Sequence, residues 1–204
     1  MEFTLYVKSF MLGFAIAAPV GVVGMLALNR ILTDGLKRGI LTGIGAASAD
    51  GLYAAIAAAI FAVSAFFPPE SALWLRLAGG AGLIVFGAFS LLKRPETGYS
   101  TAAEKICENR NDFSSAFFLR LANLPVIAVY VCALAGFEAL SRLSIISAAG
   151  LFSGSLFWWI FMSLFFSSVM GKFLRFHVVM INFLSTFIVI GFGVAFVISA
   201  AAGM

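Results

Sequence analysis

The stretch GILTGIGAASADGLYAAIAAAIFAVSAFF, residues 39–67, decides the fold of this chain. A helix that spans a bilayer needs about 20 apolar residues, so this run is long enough to cross one. It holds a single carboxylate, Asp50, near its middle. A charge at that depth costs roughly 2.5–3.5 kcal/mol on insertion scales, and such residues usually face a bundle interior or a wet cavity. Asp50 is therefore the first candidate for a substrate, ion or proton pathway.

The composition of the whole chain favours a membrane protein. The 204 residues are 62% hydrophobic and 11% charged, with a mean hydropathy of +1.08. A soluble domain of this size has too little interior for so much apolar surface. Two cysteines, Cys107 and Cys132, are too few for a disulfide scaffold, and the net charge of +4 is dispersed between apolar runs, which does not indicate nucleic-acid binding. Glu2 and Lys8 do not form the basic segment of a cleavable signal peptide, so the first run is expected to be retained.

Charges and turn residues divide the chain into six apolar runs, which we predict to be membrane-spanning helices. They lie near residues 5–29, 39–67, 72–92, 113–136, 144–169 and 178–202. The polar segment 93–112 is predicted to be a flexible loop that is too short to form a domain. The prediction is an all-α integral membrane protein of six transmembrane helices that form one transporter domain.

The distribution of Lys and Arg predicts the orientation in the membrane. Nine of these residues lie in the loops after the first, third and fifth predicted helices: Arg30, Lys37, Arg38, Lys93, Arg94, Lys105, Arg110, Lys172 and Arg175. The opposite side has three, Lys8, Arg76 and Arg142, and Arg120 lies inside helix 4. Because basic loops stay in the cytoplasm, both termini are predicted to be outside.

The two halves of the chain resemble each other at a spacing of about 105 residues. The matching positions are Pro19 with Pro125, Gly45-Asp50-Tyr53 with Gly150-Ser155-Trp158, and Gly87 with Gly193. A unit of three spans ends on the opposite side of the membrane from where it begins, so a second copy enters the membrane in the opposite orientation. Repeat one (1–92) and repeat two (113–204) are therefore predicted to be inverted relative to each other. Inverted repeats with interrupted helices at matching positions are typical of transporters.

The two prolines predict breaks near the bilayer centre. A proline inside a helix removes one hydrogen bond, and Gly21 and Gly24 make local unwinding beside Pro19 inexpensive. Unwinding there and at Asn123 and Pro125 exposes backbone amides at helix N-termini, which bind carboxylates. The alternative is a plain proline kink whose backbone groups are satisfied by neighbouring helices.

Asp50 offers a counter-charge for an ammonium group or a site for a coupling proton, with Tyr53 one turn later. Beside the amide clusters it would complete an amino-acid site. The alternatives are a structural ion pair with Arg120, or an Arg120 that reaches the cytoplasmic face instead. Small residues at every fourth position of helix 2, from Gly39 to Ala59, predict close packing against another helix.

Several segments of this sequence resemble the LysE-type translocators, the group of lysine and homoserine/threonine exporters. They are GFAIAAPVG (13–21), NRILTDG (29–35), Arg38-Gly39, GIGAASAD (43–50) and Asn123-Leu124-Pro125. The resemblance implies a bacterial inner-membrane exporter of amino acids that is driven by protons or the membrane potential and has no enzyme activity. The family's Pro-Gly-Pro reads Pro19-Val20-Gly21-Val22 here, and Leu124 separates its Asn-Pro pair, so the family's substrate is not carried over.

Three other functions are alternatives. A thiol/disulfide electron carrier of the same superfamily needs two cysteines that meet, whereas Cys107 is predicted in a loop and Cys132 in helix 4. A divalent-metal exporter needs His and carboxylates within the spans, where only Asp50 occurs, and the buried charge argues against a non-transporting assembly partner. No metal-ligand cluster, phosphate loop or nucleophile triad is evident, so we expect no cofactor. The expected partners are a small solute and the lipid bilayer, and a homo-oligomer is compatible with the sequence.

Overall fold

The computed structural model describes residues 2–19, 21–63, 71–92, 111–136, 143–168 and 174–202, and the secondary structure of these residues is entirely helical. The helices are α1 (Glu2–Ala17), α2 (Val22–Asp34), α3 (Leu36–Val63), α4 (Ser71–Leu92), α5 (Asp112–Leu121), α6 (Leu124–Gly136), α7 (Leu143–Ser168) and α8 (Leu174–Ala201). Most of the predicted loop 93–112 lies outside the described residues.

Several helices are long and apolar enough to cross a membrane. Three qualify singly, over Leu36–Ile60, Ile145–Ser168 and Phe183–Ala201. Two bent pairs, α1 with α2 and α5 with α6, raise the number to five if each pair is one span, and the apolar part of α4, Arg76–Leu92, is shorter. The described helices therefore bear out the all-α class and the several membrane spans.

The outer surface of the described helices suits a lipid solvent. Eight large apolar side chains on α4 and α8 are more than half exposed: Trp74, Val85, Phe89, Leu92, Phe183, Leu184, Phe187 and Ile198. Soluble monomers rarely leave large contiguous apolar patches in water. Exposing apolar side chains to hydrocarbon does not carry the free-energy cost of exposing them to water, so these residues are expected to face lipid tails.

The first predicted break lies between α1 and α2. The helix ends after Ala18 donates to the Phe14 carbonyl at 3.0 Å, and Gly21, in an extended conformation, precedes α2 without a side-chain cap. The axes of the two helices differ by 77°. Pro19 and Gly21 thus lie at an interruption of the helix, as predicted.

The second predicted break separates α5 from α6. Asn123 donates its backbone N–H to the Arg120 carbonyl, and its own carbonyl accepts from Val126, both at 3.0 Å. Pro125 lies in the first turn of α6, where a helix does not need the missing amide hydrogen. The helix axes over Asp112–Leu121 and Val126–Gly136 differ by 69°. Pro125 therefore lies at the start of a new helix, and the break is larger than a proline kink within one continuous helix.

Helix α3 lies at the centre of the described bundle, where it packs against α2, α5, α6 and α7. Its small residues allow the close approach. A Cβ on Gly43 would lie 3.0 Å from Cβ of Trp159, and a Cβ on Gly51 would lie 2.7 Å from the ring of Phe152. The predicted small-residue stripe is confirmed as a packing face against α7 at Gly43 and Gly51, whereas Gly39 faces Ile31 of α2 and Ala55 and Ala59 are exposed.

The contact between α4 and α8 is reciprocal. A Cβ on Gly87 would meet the side chain of Ile190, and a Cβ on Gly193 would meet that of Ile84. Gly87 with Gly193, and Ile84 with Ile190, are pairs related by the spacing of about 105 residues found in the sequence. Elsewhere, α1 packs along α7, and α5 packs along α3.

Candidate functional site

Asp50 is fully buried in the middle of α3 and accepts four hydrogen bonds. The Arg120 guanidinium donates from Nε to Oδ1 at 2.7 Å and from Nη2 to Oδ2 at 3.2 Å. Ser155 Oγ donates to Oδ2 at 2.5 Å, and Trp159 Nε1 donates to the same oxygen at 3.4 Å. Helices α3, α5 and α7 therefore meet at one carboxylate, and we call Asp50, Arg120, Ser155 and Trp159 the central cluster.

The two charges of the central cluster compensate each other in a two-point ion pair. Arg120 is 6% exposed and Asp50 is 0% exposed, so solvent hydrates neither group appreciably. The guanidinium carbon of Arg120 also lies 5.9 Å from the ring centroid of Trp159, within range of a cation–π contact. Of the two positions considered for Arg120, the structure shows the pair with Asp50. An ammonium group would have to displace the guanidinium to reach Asp50 in this conformation.

Tyr53 anchors the break between α5 and α6. Its single hydroxyl proton is shared between the Leu121 carbonyl at 2.8 Å and the Arg120 carbonyl at 3.2 Å. The last carbonyls of a helix have no partner within it, so Tyr53 satisfies the Leu121 carbonyl and adds a second donor to the Arg120 carbonyl, which already accepts from Asn123. Its position fixes the backbone that carries Arg120.

Tyr130 of α6 lies next to the central cluster, and the surroundings of its hydroxyl differ from those of the Tyr53 hydroxyl. Its ring centroid is 6.2 Å from that of Tyr53, and the side chain is 0% exposed. Its hydroxyl interacts with the side chains of Arg120 and Ser155, but neither contact has the distance and angle of a full hydrogen bond. Ser155 already donates its own proton to Asp50.

The remaining predicted binding residues lie at the two breaks. At the first, Gly24 is buried, Pro19 is half-buried and Gly21 is exposed. At the second, the Asn123 side chain is exposed, while its backbone N–H reaches the carbonyl of Arg120. Within the described residues, hydrogen bonds connect the second break to Arg120, whereas none connects the first break to the central cluster.

A second buried ion pair joins α2 to α5. Arg30 Nε lies 3.2 Å from Asp112 Oδ1, and the same guanidinium donates to Thr42 Oγ1 at 3.0 Å and to Ser115 Oγ at 2.8 Å. Arg38 approaches the other oxygen of Asp112 at 3.8 Å. Arg30 and Asp112, predicted to lie in loops, instead belong to helices and are buried, because each neutralises the other.

The described residues give no evidence of a metal or disulfide centre. No three His, Cys, Asp or Glu side chains of the described ranges come together as metal ligands. Cys132 is a half-buried free thiol on α6, and Cys107 lies outside the described residues. The electron-carrier and metal-exporter alternatives therefore gain no support from the part of the chain that can be seen.

Several apolar helices, two of them interrupted, around a buried charge cluster define a multi-pass membrane protein of the transporter class. A family model described as LysE type translocator matches residues 14–200. The chain belongs to this family, which confirms the resemblance seen in the sequence. Its members are transporters of small solutes, not enzymes, and they export amino acids or related solutes. Comparison with curated proteins and with solved structures gave no match.

Proposed function

We propose that this chain exports amino acids or similar small zwitterions across the cytoplasmic membrane of a bacterium, as a secondary transporter driven by protons or the membrane potential. The observation that carries the proposal is the buried Asp50–Arg120 ion pair in a chain of the LysE family. Intramembrane charges of this kind usually mark a transport pathway.

The ion pair favours a zwitterion over a singly charged solute. Breaking a buried pair leaves two uncompensated charges, which is strongly unfavourable. A zwitterion offers an ammonium to Asp50 and a carboxylate to Arg120, so both buried charges stay compensated when it binds. A simple cation or anion would satisfy one partner and leave the other unpaired.

The helix breaks would supply the remaining contacts. Amides at the breaks near Pro19, Gly21 and Gly24 and near Asn123 and Pro125 are proposed to assist Arg120 in holding the carboxylate. Tyr53 would hold Arg120 in position through its hydrogen bonding to the carbonyls at the end of α5.

The proposed layout is six spans in two inverted repeats, 1–92 and 113–204, with both termini outside. Contacts between matching positions support it. A Cβ on Gly45 of α3 would meet the backbone of Phe113 at the start of α5, and a Cβ on Gly150 of α7 would meet α1 at Tyr6 and Ser9. Asp50 and Ser155, which match in the two halves, hydrogen-bond to each other, as residues close to a two-fold axis would.

Coupling is proposed to act through Asp50. Protonation of this carboxylate would weaken its hold on the ammonium group, so proton entry would release the solute and give antiport. If export by Asp50→Asn still depends on pH, another group must carry the coupling proton. If export by the wild type does not depend on pH, this coupling is excluded.

Efflux from intact cells tests the function. Cells that express the wild type, Asp50→Ala or Asp34→Asn are loaded with dipeptides, and each amino acid released to the medium is measured. Asp34 is the matched control, because its carboxylate is partly exposed and pairs only with Arg38 among the described residues. Increased release of one or a few amino acids by the wild type and Asp34→Asn, but not by Asp50→Ala, supports the proposal. Equal release by Asp50→Ala would return Asp50 to a structural role.

A further inference from the structure

We propose that the hydroxyl group of Tyr130 binds the carboxylate of the transported solute, together with Arg120. This inference rests on the proposed function and names a binding residue that no motif identifies. The two side chains would form the carboxylate half of the site, and Asp50 would form the ammonium half.

The evidence is a buried hydroxyl without a well-formed hydrogen bond. A tyrosine hydroxyl can donate one hydrogen bond and accept others, and leaving such a group buried and unbonded is unfavourable. Tyr130 is 0% exposed, and its contacts with Arg120 and Ser155 fall short of full hydrogen-bond geometry. The neighbouring Tyr53, with its ring 6.2 Å away, shows the usual outcome, since its hydroxyl reaches two carbonyl oxygens.

The surroundings of Tyr130 indicate the chemistry of the missing partner. Arg120 offers only donors, and Ser155 directs its proton to Asp50. A hydroxyl beside a guanidinium is complementary to an anionic oxygen that accepts from both. When a solute carboxylate replaces Asp50 at Arg120, that oxygen arrives next to Tyr130.

A second unpartnered hydroxyl provides a control. Ser147 of α7 is also fully buried, and its Oγ forms no hydrogen bond. It lies two turns before Ser155, about 12 Å along the helix axis. If an unpartnered hydroxyl were merely a tolerated packing defect, Tyr130 and Ser147 would behave alike.

The test compares Tyr130→Phe, Tyr53→Phe and Ser147→Ala with the wild type by two measurements. The first is the midpoint of thermal unfolding in detergent. The second is the half-saturation concentration for release of whichever amino acid the wild type exports from dipeptide-loaded cells.

We expect Tyr130→Phe to unfold at the wild-type temperature or above it, because the lost hydroxyl has no well-formed hydrogen bond. We expect the half-saturation concentration to rise about tenfold, equivalent to about 1.4 kcal/mol. Tyr53→Phe should unfold at a lower temperature, because it loses the hydrogen bonding of its hydroxyl to the α5 carbonyls. Ser147→Ala should not lose stability and should transport normally.

A Tyr130→Phe variant with unchanged half-saturation, in cells where the wild type does export, would overturn this inference alone. A Tyr130→Phe variant that unfolds at a clearly lower temperature would also overturn it, because the hydroxyl would then be structural. Absence of release from the wild type for every dipeptide would overturn the proposed function, and this inference with it.

Discussion

Removal of one partner of the Asp50–Arg120 pair is predicted to destabilise the protein far more than removal of both. Arg120→Gln deletes two donors to Asp50 at 2.7 and 3.2 Å and leaves a carboxylate that is 0% exposed with only Ser155 and Trp159. Breaking a buried pair in this way costs about 3–5 kcal/mol. For a chain of this size, 1 kcal/mol shifts the unfolding midpoint by about 2–4 °C, so the midpoint should fall by roughly 6–20 °C.

Thermal unfolding of the purified protein in detergent, followed by size-exclusion chromatography, measures this effect. The double variant Asp50→Asn/Arg120→Gln removes both charges and keeps polar groups of similar size. Because replacing both partners of a buried pair is often nearly neutral, the double variant should recover most of the stability that the single variant loses. If the double variant loses as much stability as Asp50→Asn and Arg120→Gln lose together, the two charges do not compensate each other and the account of the site is wrong.

Two further predictions concern the helix contacts. Arg30→Gln should lower the free energy of unfolding by about 3–5 kcal/mol, because it leaves the Asp112 carboxylate buried without its main partner. The Arg38 side chain is 49% exposed, so Arg38→Gln should cost less than about 1 kcal/mol. Denaturation midpoints distinguish the two variants, and equal losses would contradict the burial argument. Gly154→Ala should cost about 1–3 kcal/mol, because its Cβ would meet a backbone carbonyl of α1. The control Gly191→Ala, with open space around it, should be neutral or stabilising by up to about 1 kcal/mol, and a loss as large as that of Gly154→Ala would refute the packing.

The sequence predicts where most of the described helices lie, because length and apolarity decide where helices run in lipid, and the arrangement as six spans stays a prediction. The breaks follow from Pro19 with its glycines and from Asn123-Leu124-Pro125. Asp50 stands out because a charge in an apolar run has few alternatives. Ser155 was indicated indirectly, as the position in the second half that matches Asp50.

The partners within the site are harder to predict. Membrane helices are apolar on all sides, so their sequence carries little information on which face turns inward. Trp159 and Tyr130 are therefore indistinguishable from packing residues until the helices are assembled. Arg30 and Asp112 flank apolar runs and look like interfacial charges, and only the fold brings them together across 82 positions of sequence.

The central claim is that the Asp50–Arg120 pair binds a zwitterion. Exchange of the exported amino acid by the purified protein in proteoliposomes tests it most directly, with the methyl ester and the N-acetyl derivative of that amino acid as competitors. The ester lacks the carboxylate and the acetylated form lacks the ammonium, so the account predicts that only the unmodified amino acid competes. Equal competition by either derivative would contradict it, because one of the two buried charges would then bind no solute.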